Sequence, residues 1–144
     1  MNKYSADELF KIAYDHLQKK NFGKSAGLFE KLINDYPENL SVLRNLIHCY
    51  MHLGEFEKAE TSIRKVISIK PDEPFVYQTL VSILKDQDKL EEATLIIDQG
   101  LKKKLINEKW EIQKNFFFPK IPLNKSEIKN YRQKIEKEIE KILD

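Results

Sequence analysis

The sequence is poor in the residues that mark several protein classes. It has one cysteine, Cys49, in 144 residues, so an intrachain disulfide is impossible and nothing points to an oxidising compartment. Its four glycines, Gly23, Gly27, Gly54 and Gly100, form no phosphate-cradling loop, which argues against nucleotide binding. No apolar run approaches the ~20 residues a membrane-spanning helix needs, and the amino terminus lacks a signal-peptide core, so a cytoplasmic setting is expected. An excess of one charge sign is also missing, with 25 basic against 23 acidic residues. Such a balance does not suit a polyanion partner. The run Lys102, Lys103 and Lys104 falls at a predicted helix end, where cations suit the helix dipole. Metal ligands are sparse as well. His48 and His52 lie one helical turn apart, but neither a third histidine nor a tetrahedral set completes them in sequence, so a structural or groove-lining role is the better reading. Cys49 sits beside the Leu46 and Tyr50 face and reads as a buried thiol. No cofactor, metal or catalytic constellation is expected.

What the chain does have is a period. Leu9, Leu43 and Tyr77 follow one another at a step of 34 residues, as do Ile12, Leu46 and Leu80, and Phe22, Phe56 and Leu90. Ser25, Ala59 and Ala93 keep the step, as do Phe29, Ile63 and Ile97, while Pro37 and Pro71 repeat it once. Each column has a packing role in a helix-turn-helix unit. A small residue early in the second helix lets the two helices approach, the residue at the turn plugs its apolar gap, and proline closes the unit because it cannot continue a helix. With this period and these columns the chain resembles the tetratricopeptide repeat family. The resemblance covers residues 6–39, 40–73 and 74–107. It implies an all-α, right-handed superhelical solenoid that holds other molecules and seldom carries chemistry itself.

Local signals agree. Ser5 and Glu8 form a capping-box pattern, and Asn39 and Asp72 suit the start of the next two first helices. Turns within the hairpins fall near Asn21, Gly54 and Asp88, with Gly54 able to take the left-handed conformation that ends a helix. The third repeat departs from the first two. Gly100 stands where they have Leu32 and Val66, and Leu105 where they have proline, so its second helix is expected to run on or end differently. Ile47 and Val81 stand where the family has a small residue, which suggests looser helix contacts in the second and third units.

Residues 1–107 are thus read as the repeat region and 108–144 as a capping segment, an extended linker and a final amphipathic helix. Trp110 and Ile112 are expected to open a short helix over the flank of the last repeat, since solenoid ends need a cap. The prolines of Phe116-Phe117-Phe118-Pro119-Lys120-Ile121-Pro122 keep that stretch extended. Beyond Asn124 and Glu127, a second capping signal, Ile128, Tyr131, Ile135, Ile139 and Ile142 recur at threes and fours and make one narrow stripe. The string Phe118-Pro119-Lys120-Ile121-Pro122, with Glu127-Ile128 and Tyr131-Arg132 after it, resembles the linker that follows the repeats in bacterial SPINDLY-like O-linked N-acetylglucosamine transferases. That resemblance implies the repeat-bearing part of such an enzyme without its catalytic domain, so this chain alone is not expected to transfer sugar. A free-standing repeat protein whose final helix folds back or self-associates, through Phe116, Phe117 and the isoleucine stripe, fits equally well.

The expected function is protein-protein interaction. In tetratricopeptide stacks the first helices line the concave groove, which here would present Phe10 and Tyr14, then Arg44, His48 and His52, then Phe75, Gln78 and Ser82. Asn45 lies alongside, where its amide can clamp a peptide backbone. Aromatics flanking a central basic row suit a peptide with an acidic or polar centre, although Phe10 and Phe75 can equally pack between repeats. Repeats of this family that bind chaperone tails use lysine and asparagine in the first helix, where this chain has Phe10 and Tyr14, so that clamp is not expected. The two functional readings are a scaffold for a peptide or protein partner and a substrate-recruiting region of a glycosyltransferase. Neither needs nucleic acid or a membrane.

Overall fold

A computed structural model describes residues 4–117 and 124–143. The described residues form eight helices and no strand: α1 (Ala6–Gln18), α2 (Phe22–Asp35), α3 (Leu40–Leu53), α4 (Phe56–Ile69), α5 (Pro74–Asp86), α6 (Leu90–Lys102), α7 (Lys109–Asn115) and α8 (Lys125–Leu143). The first six pair into three hairpins whose first helices start 34 residues apart, at Ala6, Leu40 and Pro74. Together they make an all-α solenoid. No described helix is long and apolar enough to cross a membrane. The proline-rich stretch from Phe118 to Pro122 lies outside the described residues.

The hairpins close on the small-residue column. Ser25, Ala59 and Ala93 are each fully buried, and so are Phe29, Ile63 and Ile97 one turn further along the same helices. In the first hairpin the Ser25 hydroxyl donates to the Ala13 carbonyl at 2.8 Å, tying α1 to α2 directly. Ile47 and Val81 are as deeply buried as Ala13, so the bulkier residues in that column pack fully within the core. Phe22, Phe56 and Leu90 pack against the core from the turns.

The helix ends repeat as closely as the core does. The Ser5 capping box forms, with the Glu8 N–H donating to Ser5 Oγ at 3.3 Å and the Ser5 N–H donating to Glu8 Oε2 at 2.9 Å. Asn39 Oδ1 accepts from the Val42 N–H at 3.1 Å. Asp72 does not take the same role: the cap of α5 is Glu73, with no side-chain bond, because Pro74 occupies the first helical position and brings a fixed φ and no N–H in need of a partner. Helices α1, α3 and α5 all end in a left-handed residue, at Lys20 (φ 58°), Gly54 (φ 73°) and Asp88 (φ 60°). In each case the two amides at the turn bond back to the last helical turn, for example Asn21 N–H to the His16 carbonyl and Lys89 N–H to the Leu84 carbonyl. This is the Schellman arrangement, and only one of the three positions uses glycine.

Gly100 and Leu105 explain each other. Without proline at 105, α6 ends like a first helix, with Lys104 left-handed (φ 56°) and the Leu105 N–H bonded to the Gly100 carbonyl at 2.9 Å. The chain then turns back and lays Ile106 where Leu32 and Val66 stand in the earlier repeats. A Cβ at Gly100 would lie 2.9 Å from Ile106 Cδ1 and 3.3 Å from Tyr77 Cδ1. Trp110 and Phe117 complete this cover, with Phe117 buried and the Lys85 ammonium 4.7 Å from its ring centre. Ile112, expected to help, is instead half exposed, since α7 turns Trp110 inward.

One charged cluster joins the second hairpin to the third. Glu60 on α4 accepts from Arg64 Nε at 2.8 Å, from Gln87 Nε2 at 2.8 Å and from Lys89 Nζ at 2.7 Å, and Arg64 also pairs with Glu92. Burial would raise the Glu60 pKa, but the bonds from Lys89, Gln87 and Arg64 outweigh it and hold the carboxyl at about 2.

Two predictions follow from these contacts. Gly100→Leu should destabilise the protein by about 1–3 kcal/mol through overpacking, and Ile106→Ala in the same chain should return part of that loss, as read by denaturant unfolding of the two single variants and the double. Because the Glu60 carboxyl is depressed in the folded state, its contribution is complete above the ordinary carboxylate range near pH 4.5 and fades as pH falls towards 2. Glu60→Gln should therefore cost stability on the order of 1–2 kcal/mol at pH 7, with the gap from the native chain closing between pH 4.5 and 2 in thermal melts.

Candidate functional site

The residues expected to line the groove come from α1, α3 and α5, and the 34-residue step places them in register. Phe10, Arg44 and Gln78 share one column, and Tyr14, His48 and Ser82 the next. Along α3, Arg44, His48 and His52 stand at successive turns and so make one row. All three are exposed, as are Tyr14, Phe75 and Gln78, while Phe10, Asn45 and Ser82 are half-buried.

These side chains divide into two clusters. The first is a cleft of about 580 Å³ walled by Tyr14, Leu17 and Gln18 of α1, Lys20 and Phe22 at the turn, and Asn45, His48 and His52 of α3. Its floor is a stack: the His52 ring lies 4.2 Å from Phe22 with the planes 4° apart, and His48 is tilted 4.6 Å from His52. Burial, and then the neighbouring His52, hold the His48 imidazole below its ordinary range, which favours the neutral ring near neutral pH. Tyr14 is stacked on Phe10 at 6.4 Å, and Phe10 in turn meets core Phe29 edge-on at 5.4 Å. Phe10 is thus part of the support beneath Tyr14 within the first hairpin.

The second cluster sits where α3 meets the start of α5. The Arg44 guanidinium pairs with Glu73 and lies 5.4 Å from the centre of the Phe75 ring. Lys70 also pairs with Glu73, at 2.6 Å. Two cations around one carboxylate leave a net positive charge here. His48 favours its neutral form, while Arg44 carries the charge of the row.

Gln78 and Ser82 line neither cluster. Conversely, Leu17, Gln18, Lys20 and Phe22 belong to the cleft without having been expected there. Gln18 had a signal, because it precedes His52 by one period. Phe22 had none of its own, since its role as a turn plug concealed the face it offers to His52. Cys49 is fully buried, and burial pushes its thiol upward in pKa, which leaves it as packing. Among the described residues no group of three histidines, cysteines or carboxylates is placed to hold a metal ion.

Residues 16–84 match the family model described as Tetratricopeptide repeat. No curated protein sequence matches the chain. Among solved structures, MamA from Desulfovibrio magneticus RS-1 superposes with a TM-score of 0.69 at 13% identity, covering 96% of this chain and 76% of that one. The chain spans 58% of the length of a MamA point mutant. The first repeat domain of Spaghetti (RPAP3), bound to the HSP90 peptide SRMEEVD, gives 0.61 at 16% identity over 91% of this chain and 90% of that one. An O-GlcNAc transferase mutant of Thermobaculum terrenum gives 0.59 at 15% identity over 76% of this chain and 21% of that one. At such identities these likenesses speak for the fold. With its period, its paired helices and the model matched over residues 16–84, the chain has the fold of a tetratricopeptide repeat solenoid.

Proposed function

We propose that this protein is an interaction scaffold that captures a peptide segment of a protein partner on the face formed by α1, α3 and α5. The observation that carries the reading is the cleft between Tyr14, Phe22, Asn45, His48 and His52. It is preformed, since its floor is held by the Phe22 and His52 stack and its wall by the Tyr14 and Phe10 stack. A preformed site lowers the ordering cost of binding. Its chemistry suits an apolar or aromatic side chain laid against the rings, with the Asn45 amide available to the backbone beside it. Arg44 on Phe75 forms a second contact point further along the same face, where a polar group of the peptide can meet an arginine already oriented by Glu73. Among the solved structures above, the RPAP3 domain is one whose fold is bound to a peptide.

A second reading keeps the same groove and assigns it to substrate recruitment by a SPINDLY-like glycosyltransferase. It is favoured by the string from Phe118 to Pro122 and by the likeness to the Thermobaculum terrenum transferase. Reading the gene beyond Asp144 separates the two, because only the second requires a nucleotide-sugar-binding domain there.

The groove itself is tested by selecting peptides from a random display library on the whole chain. Tyr14→Ala and Asn45→Ala should each weaken the selected peptides by about tenfold or more, as expected for central contact residues. Both should leave the melting temperature nearly unchanged, because Tyr14 is exposed and Asn45 half-buried. Lys65→Ala on α4 should bind as the native chain does. Peptides that bind all three variants alike, or that are lost only with Lys65, would place the binding surface elsewhere.

A further inference from the structure

Helix α8 leaves most of its apolar stripe uncovered. Among the described residues it meets the rest of the chain along one side: Asn115 donates to Glu138 Oε2 at 2.9 Å, and Tyr131 and Lys134 face the start of α6 across a cleft lined by Asp88, Glu92 and Phe117. Tyr131 and Ile135 are half-buried on that side. At about 100° per residue, Ile128 and Ile139 fall at the outer edge of that side, Ile142 in line with Tyr131 and Ile135 near the end of the helix, and Leu143 furthest out. They are 52%, 45%, 56% and 80% exposed. The strip runs nearly the full length of the helix. Phe117, expected to join it, is buried beneath the last repeat, and Phe116, also expected there, is half-buried.

The charges beside this strip are sorted. On the flank away from the repeats, Lys125, Lys129 and Arg132 occupy the first half of the helix and Glu136 and Glu140 the second, all exposed. A second α8 laid on the strip in the same direction would meet this flank with its opposite one, so the sorted charges would not face each other. One laid in the opposite direction sets lysine and arginine against glutamate at both ends, while the isoleucines meet in the middle. The sequence that satisfies this pattern is α8 itself. An anionic membrane is a poorer match, because Glu136 and Glu140 would be pressed towards it.

We infer that α8 is a self-association helix, pairing antiparallel with α8 of a second copy through Ile128, Ile139, Ile142 and Leu143. The pairing leaves the α1 and α3 cleft free and gives a two-copy scaffold two peptide sites. It stands or falls independently of what the groove binds.

Light scattering on the full chain from low micromolar to high micromolar concentration should show the mass rising towards twice the monomer. Ile139→Asp should abolish the rise with the helical circular dichroism signal retained. Should that variant lose helix, Glu136→Lys with Glu140→Lys serves instead, since these exposed changes make the flank uniformly basic and should return a monomer at low salt. Direction is read by disulfide trapping: Lys125→Cys mixed with Leu143→Cys should cross-link, and neither should do so with itself, Cys49 being buried. A monomer at every concentration overturns the inference, as does a dimer untouched by these variants or one in which like cysteines join. A monomer that binds phosphatidylserine vesicles, and loses them with Ile139→Asp, would assign the strip to a membrane.

Discussion

The close approach of two helices at Ser25, Ala59 and Ala93 is the constraint on which the rest of the structure depends. A hairpin whose helices touch there presents Phe29, Ile63 and Ile97 inward and leaves an apolar side that it cannot bury alone. Stacking the next hairpin on that side buries it, and the same step then recurs. A side chain larger than serine would hold the helices apart and shift every residue beyond, because close-packed interiors do not yield smoothly. The Ser25 hydroxyl bonded to the Ala13 carbonyl shows that even a polar group is tolerated at this point if it is small and satisfied.

Stacking needs an end. At the carboxyl side the chain meets this need by reusing a device from within the repeats. The Schellman turn that normally leads from a first helix into a second here closes α6, and sends Ile106 back into the space left by Gly100. Trp110 and Phe117 then cover the last hairpin. Glycine at position 100 is thus the counterpart of the missing proline at 105: one opens the space, and the other allows the turn that fills it.

The candidate groove shows how a regular scaffold acquires chemistry. Its backbone positions come from the repeat, but its character comes from pairs that the repeat does not specify: Phe22 with His52, Phe10 with Tyr14, Arg44 with Glu73 and Phe75. Each pair removes a degree of freedom before any partner arrives. Arg44 is held in place by Glu73, and His48 is driven towards its neutral form by burial and by His52. The face is consequently more strongly ordered than its residue types suggest.

The amino-acid sequence by itself determined the period, the helix pairs, the small-residue and aromatic core columns, and the caps at Ser5 and Asn39. These are legible because they depend on residues close in sequence or on one step repeated three times. Only the tertiary structure decided what the irregular positions do. Pro74 displaced Asp72 from its expected cap, and Phe117 went under the last repeat while Ile112 stayed outside. Phe22 joined the cleft because a turn residue in one hairpin lies against a helix of the next. Such outcomes turn on which side chain fills a given space first, and on charges brought together from helices distant in the chain. No period in a sequence encodes that competition, so it is settled only when the hairpins stack.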